Sequence, residues 1–143
     1  MVELITITKM STTECELINI TDDVKEAVEN SKIKNGVVFV ISAHTTAGIT
    51  INENLPCLGK DMLNTMENII PTHDNYFHNR FLPSYGAIGG NTAGHLKAML
   101  SGNHCVVPLI NGKLVLGGAQ DIYLAEFDGV QLRKVYIEIM GEE

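Results

Sequence analysis

Five apolar residues, Val37-Val38-Phe39-Val40-Ile41, run without a break into Ser42-Ala43-His44-Thr45-Thr46-Ala47-Gly48-Ile49-Thr50-Ile51-Asn52-Glu53-Asn54. A short apolar run of this kind, β-branched and aromatic, reads as a core strand. The strand therefore delivers a histidine, threonines, asparagines and a glutamate from its end. Buried polar groups without partners are costly. These side chains must satisfy one another or face a ligand.

The rest of the pattern predicts an α+β fold. Ile5 and Ile7 alternate against Leu4, Thr6 and Thr8, which marks a strand, and Glu14 to Ile20 forms a second strand that closes an opening hairpin. Thr21-Asp22-Asp23 caps a helix whose apolar offsets are Val24, Ala27 and Val28, ending near Asn35-Gly36. Thr50 to Asn54 reads as a further extended piece. Leu55-Pro56 opens a helix with Leu58, Met62, Met66, Ile69 and Ile70 as its stripe, stopped by Pro71. Residues 72–90 read as an irregular, functional loop. Asn91 caps a short helix with Leu96, Met99 and Leu100 on its core face. Further strands follow: His104 to Leu109, turning at Asn111-Gly112 into Lys113 to Leu116, then Gln120 to Phe127, and after Asp128-Gly129 the alternating run Gln131 to Met140. With 143 residues and no linker, a single domain over 1–143 is expected.

Composition excludes several partners. The formal net charge is −7 and no basic run exists, so no nucleic-acid partner is expected. No apolar run approaches the ~20 residues of a membrane span, and the first residues do not read as a signal peptide. Cys15, Cys57 and Cys105 are odd in number and widely spaced, which points to a reducing cytoplasm rather than a disulfide framework.

The candidate chemistry lies in scattered residues. Among five histidines, His44 ends a strand, His78 sits in the irregular loop and His95 lies on the helix after Asn91. Three imidazoles and a water is a catalytic zinc arrangement. No local metal motif is present, however, so spacing alone favours three unrelated polar histidines. Gly86 to Thr92 is a glycine-rich entry to a helix, suited to an anion near Gly89, Gly90 and Thr92, with Arg80 or Lys97 as cations; a plain turn explains it equally. Glu126 alternates onto the face of Leu124 and Ile122, where a carboxylate needs a cation, metal or substrate unless that face is exposed. Cys57 and Cys105 read as small core residues rather than nucleophiles.

Six pieces in order resemble the YjbQ family, often labelled secondary thiamine-phosphate synthase. They are His44-Thr45-Thr46-Ala47-Gly48 with Asn52-Glu53-Asn54, Phe77-His78-Asn79, Asn91 to Ala98, Val107-Pro108-Leu109 with Asn111 to Leu114, Leu116-Gly117 to Tyr123, and Glu126-Phe127-Asp128-Gly129. The resemblance implies two packed, mainly antiparallel sheets with two or three helices, assembled as a homotrimer. It implies a pocket in which His44, His78 and His95 hold a divalent metal, zinc or magnesium. Glu53, Glu126, Asn91 and Gln120 sit in the family's other recurrent pieces and are the candidate catalytic residues. The ligand implied is a phosphorylated small molecule, with weak thiamine-phosphate synthase activity; the alternative is a non-catalytic module that senses or stores a metal or phosphorylated metabolite. The chain departs from the family pattern after Asn54, where two aspartates are missing, and before His95, where Thr92-Ala93-Gly94 lacks the acid that usually precedes Ala-His.

Overall fold

The computed structural model describes residues 1–81 and 90–143. The chain runs β1 (Val2–Met10), β2 (Glu16–Asn19), α1 (Thr21–Glu29), β3 (Asn35–Ser42), β4 (Ala47–Asn52), α2 (Pro56–Ile69), α3 (Phe77–Phe81), α4 (Thr92–Ser101), β5 (His104–Ile110), β6 (Lys113–Leu114), β7 (Asp121–Glu126) and β8 (Leu132–Glu142). One sheet has the order β1-β8-β3-β5-β6 and the other β2-β7-β4, and every pairing is antiparallel. This is the expected α+β class with two antiparallel sheets. The helices number four among the described residues rather than two or three, because α3 forms inside the stretch read as an irregular loop.

Two facing surfaces build the core. Val38 and Val40 of β3, Val107 and Leu109 of β5 and Val135, Ile137 and Ile139 of β8 point from the large sheet toward Ile49, Ile122 and Leu124 of the small one. Helix α1 adds Val24, Ala27 and Val28 to the same cluster, as its sequence offsets require. Apolar burial of this kind is the dominant favourable term in folding. On the far side of the small sheet, Ala98 of α4 meets Ala125 and Phe127, and Leu63 and Met66 of α2 pack against them. Lys97, buried on α4, holds this layer to the end of α2 by a 2.6 Å ion pair with Glu67, whose carboxyl is drawn down to about 2 by hydrogen bonds from Lys97 and Thr72.

The opening hairpin does not form. β1 pairs with β8 along its whole length, from Val2 opposite Met140 to Met10 opposite Leu132, while β2 joins β7 in the other sheet. The reason lies at Ser11. Its N–H donates to Gln131 O at 3.0 Å, and its hydroxyl accepts from Gln131 N–H at 2.8 Å. The chain thus follows β8 past the end of β1 before crossing between sheets. The nine-residue ladder with β8 outweighs the hairpin with Glu14 to Ile20 that local sequence suggests. The Asn111-Gly112 turn does form as read, with Leu109 opposite Leu114.

Among the described residues, the outward face of the large sheet exposes many apolar side chains. Val2, Leu4 and Met10 of β1, Leu132 and Met140 of β8 and Val106 and Ile110 of β5 are all exposed.

Candidate functional site

Where β3 leaves the large sheet, its chain end meets the start of α4 and the turn between β7 and β8. A cavity of about 540 Å³ opens there. His44 and Thr46 come from the β3–β4 turn, Asn91 and His95 from α4, Asp128 and Gln131 from the β7–β8 turn, and Arg133 from β8. Two backbone features place α4. Gly90 turns the chain at φ +92°, a conformation that favours glycine. Gly94 lets the helix lie against the end of β7, since a Cβ there would sit 2.9 Å from Phe127 O.

The floor of the cavity is a buried ion pair. Arg133 is 1% exposed and Glu126 0%. Arg133 Nε donates to Glu126 Oε1 at 2.8 Å and Oε2 at 3.0 Å, and Nη2 donates to Glu126 Oε2 and to Thr46 Oγ1 at 2.8 Å. Glu126 Oε2 also accepts from Phe127 N–H at 3.0 Å and Asp128 N–H at 3.1 Å. Burial alone would raise the Glu126 pKa, but the Arg133 guanidinium and these hydrogen bonds outweigh it and hold the carboxyl below its usual range. Glu126 is therefore a fixed carboxylate that positions Arg133. It does not face the cavity as a base.

His44 is also committed. Where β3 ends, Ala43 N–H still reaches Lys134 O at 3.3 Å, but Lys134 N–H donates to His44 Nε2 at 2.8 Å instead of to a backbone carbonyl. A backbone N–H is only a donor, so Nε2 must carry the lone pair and Nδ1 the hydrogen. Burial and the nearby Arg133 charge both lower the His44 pKa, which agrees with a neutral ring. Its one lone pair is used. The three-histidine shell that the family resemblance implies therefore lacks a nitrogen here, because His44 offers the cavity an N–H rather than a ligand atom.

His78 has the opposite polarity. Thr92 N–H points at Asn79 Oδ1 at 3.4 Å, which fixes that amide atom as an acceptor, and Thr92 Oγ1 donates to the same oxygen at 2.5 Å. With its hydroxyl hydrogen spent, Thr92 accepts from His78 Nδ1 at 2.8 Å. Neutral His78 therefore keeps its lone pair on Nε2. Its ring meets His95 edge-on, with centroids 5.0 Å apart at 66°. Among the described residues no group of three or more His, Cys, Asp or Glu side chains is arranged to hold a metal ion.

Asn91 stands at the N-cap position of α4 but makes no side-chain cap. Its Nδ2 instead donates to Asp128 Oδ2 at 3.0 Å, and Gln131 Nε2 donates to the same oxygen at 3.2 Å. Thr92 is buried in the His78 network. Glu53 and Gln120 lie elsewhere, in a second cavity of about 540 Å³ beside Asn54 and Asp121. There Gln120 Oε1 accepts from Gly117 N–H at 2.8 Å. Gly89 and the Arg80 side chain fall outside the described residues. Lys97 is held by Glu67 and Thr72 and does not line the histidine cavity. Cys57 is exposed rather than buried, and burial pushes the Cys105 thiol up to about 11, far from a reactive thiolate.

The residue missed by sequence reasoning is Arg133. Alternation places it on the face of Val135, Ile137 and Ile139, inside the core. A charge on a core face demands a partner. Glu126, equally out of place on its own strand, is that partner.

A family model described as UPF0047 protein YjbQ-like matches residues 5–142. The chain belongs to the YjbQ-like UPF0047 family. The UPF0047 protein YugU of Bacillus subtilis is 40% identical over 88% of this chain and 90% of its own length. A UPF0047 protein of Methanocaldococcus jannaschii is 37% identical over 90% of this chain and 87% of its own. The crystal structure of a YbjQ-like protein from Sulfolobus solfataricus superposes with a TM-score of 0.92 at 36% identity, covering 99% of both chains. The UPF0047 match includes every residue of the histidine cavity and of the Glu53 cavity.

Proposed function

We propose that the histidine cavity of this UPF0047 chain binds a phosphorylated small molecule and acts on it by proton transfer. The carrying observation is the convergence of His44, His95 and the buried Arg133 in one cavity of about 540 Å³, a volume within the ~300–1,000 Å³ range of metabolite sites. His95 lines the cavity and His78 meets it edge-on from behind the lining, and these two imidazoles are the groups left to take or give a proton. The geometry does not fit a three-nitrogen zinc or magnesium shell, since His44 already spends its lone pair, and no step is assigned to a metal. The family resemblance extends the reading to weak thiamine-phosphate synthase chemistry. In that reaction a thiazole nitrogen forms a bond to the pyrimidine methylene carbon as the C–O bond to pyrophosphate breaks. The commitment of Glu126 and His44 to internal hydrogen bonds favours a second reading, in which the pocket retains the ligand without turnover.

Calorimetric titration tests the binding that both readings require. Inorganic phosphate or pyrophosphate is expected to bind, and a neutral sugar of similar size is not. Equal or absent binding of all three overturns the proposal. Incubation with the pyrimidine pyrophosphate and the thiazole phosphate then distinguishes turnover from retention, and turnover by the pocket should fall at least ~100-fold in His78→Ala, the scale of a lost general acid or base.

We further propose that this protein is cytoplasmic and that copies of it associate through the apolar outer face of the large sheet, as a trimer. Exposed apolar patches of more than a few hundred Å² are rare on monomers. Sedimentation at micromolar concentration is expected to give a species of three chains, and Leu4→Glu with Tyr136→Glu is expected to shift it toward one. A monomeric parent protein contradicts this.

A further inference from the structure

We infer that the histidine cavity selects a bipolar ligand, one that carries an oxyanion at one end and a hydrogen-bond donor, such as an amine, at the other. The inference rests on the reading of the cavity as a metabolite site and specifies what that site distinguishes.

The cavity lining carries both unspent donors and an unspent acceptor. On the β8 side, Arg133 uses Nε and Nη2 on Glu126 and Thr46, which leaves Nη1 with no partner among the described residues. Arg133 lines the cavity, yet it is 1% exposed overall. A guanidinium held this rigidly, with one edge unspent, is a preorganised receptor for an oxyanion. His44 stands in the same wall and presents Nδ1–H, because its Nε2 is occupied by Lys134 N–H at 2.8 Å. Thr46 adds its hydroxyl hydrogen, since its oxygen already accepts from Arg133 Nη2 at 2.8 Å.

The β7–β8 turn adds an acceptor to the same cavity. Asp128 Oδ2 is satisfied by Asn91 Nδ2 and Gln131 Nε2, but Oδ1 has no partner among the described residues. Asp128 is half-buried and lines the cavity. Glu126 already balances the Arg133 charge, so the Asp128 carboxylate is uncompensated within this wall. A ligand with one oxyanion and a nearby ammonium, amino or hydroxyl group satisfies the unspent donors and the unspent acceptor at once. Specificity of this sort comes from groups left unpaired by the wrong ligand.

The test titrates the full chain with O-phosphoethanolamine, ethyl phosphate and ethylamine by calorimetry at matched ionic strength. O-Phosphoethanolamine is expected to bind about tenfold tighter than either monofunctional probe, the scale of one charge-assisted hydrogen bond. Asp128→Asn, which keeps shape, is expected to bring O-phosphoethanolamine to within about twofold of ethyl phosphate while leaving ethyl phosphate no weaker. Equal affinities for ethyl phosphate and O-phosphoethanolamine in the parent protein overturn the inference, as does the absence of any binding. A fourth probe, β-alanine, separates it from the phosphate reading. If β-alanine binds more tightly than O-phosphoethanolamine, the bipolar selection stands and the phosphorylated ligand does not.

Discussion

Removing the carboxylate beneath the cavity, by Glu126→Ala, is expected to cost about 3–5 kcal/mol of folding stability. Arg133 would remain 1% exposed with Thr46 as its remaining described partner and no countercharge. Breaking a buried pair is far more destabilising than deleting it, because an unpaired buried charge retains its full desolvation penalty. The double replacement Glu126→Leu with Arg133→Met is therefore expected to recover most of the loss. Urea denaturation of the parent, the single and the double variant measures this. A single variant within ~1 kcal/mol of the parent would show that water reaches the pair and screens it.

The same pair sets a pH dependence. The folded-state pKa of Glu126 is lowered, so its contribution is fully present above the unfolded value of ~4.3 and is lost as pH falls below it. Between pH 5 and 3 the parent is expected to lose more stability than the double variant. Parallel losses would place the acid sensitivity elsewhere, with Glu67 the next carboxyl to test, since its pKa of about 2 gives the same sign.

A second large effect is expected at Gly48, where β4 passes under the end of α4. A Cβ at this position would overlap Ser101 Oγ and the carbonyl oxygen of Gly102. The serine can turn away. The carbonyl cannot, because Ile49 N–H donates to it at 3.1 Å and Gly102 N–H closes the helix on Ala98 O at 3.0 Å. Gly48→Ala is expected to cost about 1–3 kcal/mol, and Gly48→Val more, the range of overpacked cores. Adding Ser101→Gly should return only part of that, since the backbone contact remains. A Gly48→Ala variant as stable as the parent would mean that α4 can shift along the sheet, and the placement of His95 would then be adjustable rather than fixed.

Much of the fold is legible in the residues. The 3.6-residue offsets of Val24, Ala27 and Val28 and the two-residue alternation of β8 each dictate one element, and the Asn111-Gly112 turn dictates a hairpin. These signals are local, and period and turn chemistry are set within a few residues. Strand partnership is not local. Nothing in Ser11 to Cys15 states that β1 will pair with β8, some 130 residues away in sequence, because that choice depends on the whole ladder and on the core behind it.

The candidate site divides along the same line. Sequence alone marks the polar residues leaving β3 and raises Glu126 as a carboxylate in need of a partner, but it passes over Arg133. Tertiary structure pairs those two charges, spends the His44 lone pair on Lys134 N–H, and sets the His78 hydrogen by way of Thr92 and Asn79. It also separates Glu53 and Gln120 from the histidines within one chain. A residue type determines which hydrogen bonds are possible. Only the fold decides which neighbour claims each donor and acceptor, and hence which atoms remain for a ligand.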